Sequence, residues 1–265
     1  NATLDKRFEA FTHYLEQDDW DLFFGVFMTT DRVNHFLFRD YERDGPNREA
    51  FLEFYRTVDD YVGRIRELLP DDVTLVVASD HGFTSLDYEV HCNAWLQENG
   101  WLSYETDDHE ELADVASESR AYSLIPGRFY VNLEGREPRG SVPQDEYQAV
   151  RGELKAELEA LEGPDGRPVA ARVVEKETAF RGEHDDIAPD LTVVPNRGFD
   201  LKSGFGGHEE VFGTGPRNGM HTFDDASLFV DAPDVNVDDT DLLDIAPTVL
   251  DLMEIEYART EFDGA

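Results

Sequence analysis

Two near-continuous apolar runs of strand length constrain this chain most: residues 21–28 (DLFFGVFM) and 73–78 (VTLVVA). A run that is apolar at every position suits a strand covered on both faces, as in a parallel sheet flanked by helices. The surrounding sequence supplies such helices. Leu4, Phe8, Phe11 and Leu15 recur at helical spacing over 4–17, and 32–41 and 48–69 read as two more helices, the second stopped by Pro70. A short helix is expected over 90–99, with Gly100 just past its end. Beyond Tyr122 the pattern changes to strands at 128–132, 169–174 and 191–194 around a helix at 144–161. The glycine-rich stretch 197–219 reads as a loop, followed by a strand at 227–230 and a closing helix at 241–253. Strands alternating with helices predict an α/β sandwich with a mainly parallel sheet, and 122–196 reads as a sub-domain inserted into it.

The chain has 265 residues, 40% apolar and 12% aromatic, enough for a packed core. No apolar run approaches the 18 residues or so that a membrane span needs. No basic segment followed by an apolar one opens the chain, so the cytoplasm is the expected location. Cys92 is the single cysteine, which excludes an internal disulfide and a cysteine-based zinc site. The 59 acidic residues against 23 basic give a net charge of −36, and only four of the basic residues are lysine. Such a field repels phosphate backbones and excludes a basic nucleic-acid-binding surface. Abundant Asp with scarce Lys suits a protein working in multimolar salt, where the Debye length falls to roughly 3 Å and self-repulsion is screened.

Three places put Asp and His beside strand ends. Asp31 and His35, in TDRVNH after the first run, are spaced i, i+4, so a helical turn presents both on one face. Asp80 and His81 follow the second run, where Gly82 lets the chain turn at the sheet edge that favours binding sites. His221 sits between the glycine-rich stretch and the strand at 227–230. Two carboxylates and three imidazoles suit Zn²⁺ first and Mn²⁺ second, and not Ca²⁺, which takes oxygen ligands. Five ligands exceed what one open tetrahedral zinc site holds and fit a two-metal site, whose usual chemistry is phosphoryl displacement. Helix caps and strand-end polar groups with no metal remain the plain alternative. Asp87 and His91 repeat the i, i+4 spacing, with His91 expected to open a helix, and Asp108-His109 repeats the dipeptide on what reads as a solvated face. His184 and His208 lie in polar loops, Cys92 reads as a buried small hydrophobe, and Arg128 and Arg136 read as surface residues.

TDRVNH (30–35), SDHGF (79–83), GMHTFDDASLFV (219–230) and DLLDIAPTVLDLM (241–253), with WLQENGWL (95–102), resemble the type I phosphodiesterase/nucleotide pyrophosphatase branch of the alkaline phosphatase superfamily. The resemblance implies a three-layer α/β/α sandwich and a phosphate-ester hydrolase acting on a small-molecule substrate. It implies one metal held by Asp31, His35 and His221, and another by Asp80 and His81 with an early Asp and a nucleophilic Thr or Ser. That nucleophile would attack phosphorus and form a covalent phospho-enzyme, which water then releases. The strand bearing the early Asp and the nucleophile finds no counterpart in the first 30 residues. Thr29 and Thr30 follow a different strand, and Thr30 reads as a helix N-cap. The chain opens Asn1-Ala2 without Met, so it is expected to be the C-terminal portion of a larger enzyme and inactive by itself. A phosphomutase or sulfatase relative, or a non-catalytic domain that keeps the fold, are the alternatives. The sequence leaves the oligomeric state open.

Overall fold

The computed structural model describes residues 2–182, 184–206, 210–232, 235 and 240–262. In chain order its helices are α1 (Ala2–Leu15), α2 (Thr29–Glu42), α3 (Arg48–Leu68), α4 (Cys92–Glu98), α5 (Tyr147–Glu159), α6 (Lys176–Ala179) and α7 (Ile245–Leu252). Its strands are β1 (Val76–Ala78), β2 (Gly82–Ser85), β3 (Tyr88–His91), β4 (Ala121–Ile125), β5 (Arg128–Val131), β6 (Ala170–Glu175), β7 (Leu191–Pro195), β8 (Phe199–Lys202), β9 (Phe212–Gly213), β10 (Gly219–Thr222) and β11 (Leu228–Val230). The chain is α/β, and it divides into two compact units, Asn1–Phe83 with His221–Ala265 and Thr84–Met220. The stretch 122–196, expected as an insertion, lies within the second unit.

In the first unit, α1 buries Leu4 and Phe8, one helical turn apart, and the Phe8 ring stacks on Tyr61 of α3 at 4.1 Å. Phe38 and Tyr41 of α2 pack on Phe51 of α3, which joins the three helices through aromatic contacts. β1 pairs antiparallel with β11, Val76 opposite Val230 and Ala78 opposite Leu228. The second unit holds a larger core. Val150, Leu154 and Leu158 recur every fourth residue along α5, and that buried stripe joins a cluster with Trp95, Trp101, Phe129, Val193 and Phe199. Its sheets run β4-β5-β7-β6 and β8-β3-β9.

Several expectations are corrected. The mainly parallel sheet is not what the described residues form. β3 with β8 is parallel, whereas β1–β11, β3–β9, β4–β5, β5–β7 and β6–β7 are antiparallel. Residues 21–28 form no strand. An apolar run becomes a two-sided core strand only when ladder neighbours exist, and among the described residues β1 takes β11 instead. Side chains hold the run: Phe23 and Phe27 pack on Phe11 with ring centroids 6.0 and 5.0 Å away, while Leu22, Phe24, Val26 and Met28 are exposed. The helix expected from residue 90 starts at Cys92, because Val90 pairs in β3 with both β8 and β9 and His91 pairs with β8. Those two strands occupy the stretch 197–219 that reads as a loop, so tertiary pairing overrides its glycine content.

Arg136, expected on the surface, is half-buried and reaches a fully buried carboxylate. Its Nη1 and Nη2 donate to the two oxygens of Asp190 at 2.8 and 2.7 Å, and Asp190 has no exposed surface. The Val131 N–H (2.6 Å) and the Tyr147 hydroxyl (2.6 Å) complete the shell around that carboxylate. Four donors on one buried charge explain its tolerance in the core. Asp190→Ala strands Arg136, so it is expected to lower unfolding free energy by about 3–5 kcal/mol. Denaturant unfolding at constant salt measures this, and a loss below about 1 kcal/mol, the level of an exposed ion pair, would contradict the account.

Candidate metal centre

α2 starts at Thr29, which places Asp31 in its first turn and His35 one turn later on the same face. The Thr30 hydroxyl does not act as the expected N-cap. It donates to the Phe27 carbonyl at 2.8 Å, and Met28 occupies the cap position without a side-chain bond. At the other end of the first unit's sequence, β10 delivers His221, whose Nε2 lies 3.0 Å from Asp31 Oδ1. His35 Nε2 lies 3.6 Å from the same oxygen. The turn after β1 supplies His81. Its Nδ1–H donates to the Gly82 carbonyl at 3.2 Å, which leaves Nε2 as the ring's lone-pair nitrogen.

The imidazoles are packed together. His81 stacks on His221 with centroids 3.8 Å apart, and His35 lies 4.8 Å from His221. The buried Phe83 ring touches all three, at 5.1 Å from His35, 5.5 Å from His81 and 5.1 Å from His221. Burial, and then the neighbouring His81, hold His221 below the usual imidazole range, which favours the uncharged ring. One donor atom each from Asp31, His81 and His221 falls within a 4.8 Å set. Ligands at 2.0–2.1 Å from one ion lie at most about 4.2 Å apart, so small side-chain movements close this set onto a cation. Two imidazoles and a carboxylate match the donor preference of Zn²⁺ or Mn²⁺.

The structure therefore brings Asp31, His81 and His221 together with His35 beside them, which divides the five residues differently from the expected grouping. Asp80 stands apart from the set, its side chain 80% exposed and its Oδ1 3.6 Å from His81 Nε2. Phe83 and Asn34 were not singled out by the sequence reading, although both sit inside the quoted motifs. Asn34 is buried and accepts from the Tyr55 hydroxyl at 2.8 Å, which ties α2 to α3 beside the site. The second i, i+4 pair does not converge: Asp87 pairs with Arg167 at 2.9 Å, and His91 Nδ1 bonds the Glu210 carbonyl at 2.9 Å. His109 is not on a solvated face, since its ring stacks on Tyr104 at 3.5 Å and its Nδ1 meets the Phe205 carbonyl. Cys92 is buried as expected, and burial pushes its thiol up to about 11. His184 is exposed, and His208 lies outside the described residues.

The sequence model of the type I phosphodiesterase / nucleotide pyrophosphatase family matches residues 1–224. The chain belongs to this family of phosphate-ester hydrolases. Comparison with curated proteins and with solved structures gave no match. Among the described residues, no helix is long and apolar enough to cross a membrane.

Calorimetric titration with Zn²⁺ and Mn²⁺ in high salt tests the cluster. The unmodified chain is expected to bind with micromolar or tighter affinity, and His221→Ala to weaken this beyond the roughly 10–100-fold cost of an outer-shell change. Equal binding by the two proteins would show that the cluster is not a ligand set.

Proposed function

We propose that this protein is part of a divalent-metal-dependent hydrolase of small phosphate esters, of phosphodiesterase or nucleotide pyrophosphatase type, working through a two-metal site and a covalent phospho-enzyme whose nucleophile lies outside this chain. One observation carries the reading: Asp31, His81 and His221, from three separate stretches of sequence, converge within 4.8 Å. Helix caps and strand-end polar groups have no reason to meet at one point. Asp31, His81, His221 and the adjoining His35 would hold one cation, and Asp80 is the remaining donor available for a second. Bound cations would supply Lewis acidity and positive charge at the transferring phosphoryl group.

The chain's own residues do the rest. Phe83 fixes the planes of the three imidazoles and keeps water from one side of them. The Gly82 carbonyl holds His81 in the tautomer that leaves Nε2 free. Asp31 accepts from His221 and lies near His35, so the carboxylate orders both rings before any ligand arrives.

Binding and turnover of bis(4-nitrophenyl) phosphate, 4-nitrophenyl phosphate and 4-nitrophenyl sulfate by the Zn²⁺- or Mn²⁺-loaded protein separate the readings. No nucleophile is identified in this chain, so the diester is expected to bind best and without turnover, with binding lost on chelation and in His81→Ala. Preferred sulfate cleavage would point to the sulfatase relative. A protein that binds neither metal nor ester would fit the non-catalytic domain.

A further inference from the structure

We infer that Asp225 is a positioning residue, which through Thr222 and Gly82 sets His81 against His221; the inference rests on the metal-site reading above. Thr222 follows His221 and closes β10, and its hydroxyl, on a buried residue, donates to the Asp225 carboxylate. That bonded pair lies directly on Gly82, the residue after His81. A Cβ at position 82 would overlap both the Asp225 carboxylate and the Thr222 hydroxyl. Close approach, not a left-handed backbone angle, is what requires glycine here.

A second fastening sits two residues before His81. The Ser79 N–H donates to the Ser227 carbonyl at 2.9 Å, and the Ser79 hydroxyl accepts from the Ser227 N–H at 2.8 Å. The segments 79–82 and 222–227 are thus joined at both ends, with His81 inside one and His221 at the edge of the other. Their rings stack at 3.8 Å, so a shift at Gly82 is transmitted to the His81–His221 geometry with little slack. Asp225 is itself exposed and contributes nothing to the apolar core. A charged acceptor gives a bond roughly twice as strong as a neutral one, which suits a clamp formed by a single pair at the surface.

The test compares Zn²⁺ affinity by calorimetry and the visible absorption of the Co²⁺-loaded protein across a variant series, with thermal unfolding as control. Asp225→Ala and Thr222→Val are expected to weaken metal binding by about 10–100-fold and to shift the Co²⁺ bands, with unfolding temperature little changed. Asp225→Asn and Thr222→Ser, which keep the acceptor and the donor, are expected to restore affinity towards that of the unmodified chain. Gly82→Ala displaces the carboxylate, so it is expected to match Asp225→Ala, and the double variant to be no weaker than either. Unmodified protein that binds neither ion overturns the metal-site reading and this inference together. Metal binding by the unmodified chain with an equal affinity and superimposable Co²⁺ spectrum in Asp225→Ala overturns the positioning role alone.

Discussion

Negative charge is the constraint under which everything else in this protein operates. At net −36, basic side chains are scarce, and several in the second unit are paired with carboxylates: Arg136 with Asp190, Arg151 with Glu177 and Glu175, Lys155 with Glu175, Lys202 with Asp200. A phosphate ester approaching such a surface is repelled unless positive charge is brought to it. The candidate site gathers imidazoles around a carboxylate, which is an arrangement for recruiting cations and not for meeting anions directly. Charge balance and ligand chemistry thus lead to the same requirement.

The site also shows how local and long-range order combine. Helix α2 fixes Asp31 and His35 by its own periodicity, and no tertiary contact is needed to place them on one face. His81 and His221 depend on the antiparallel pairing of β1 with β11 and on the turn at Gly82. Phe83, in van der Waals reach of all three imidazoles, connects these two kinds of order.

The sequence made α1, α2, α3, α5 and the strands β1, β5, β6, β7 and β11 legible, because each carries its own periodicity or apolar run. It could not show which strand meets which. The pairing of β3 with β8 and β9 joins residues far apart in sequence, and neither the short strands nor their glycine-rich surroundings mark it. Spacing likewise did not separate Asp31 and His35 from Asp87 and His91, since both are i, i+4. What separates them is conformation: the first pair is on a helix, whereas His91 ends a strand and turns to the Glu210 carbonyl. Arg136 reads as a surface residue for a related reason, since its partner Asp190 lies 54 residues away.

The apolar run at 21–28 has a consequence for the behaviour of the protein in bulk. Leu22, Phe24, Val26 and Met28 are all exposed, Phe24 at 85% accessibility, and the backbone there carries no ladder among the described residues. An exposed, low-charge, β-prone segment of this kind is the pattern that seeds intermolecular sheets. Mutual repulsion between highly acidic copies opposes such contacts, but added salt, which relieves strain within each molecule, weakens that barrier as well. Colloidal stability and conformational stability therefore respond to ionic strength in opposite directions, and the window in which the protein stays both folded and dispersed is set by their crossing.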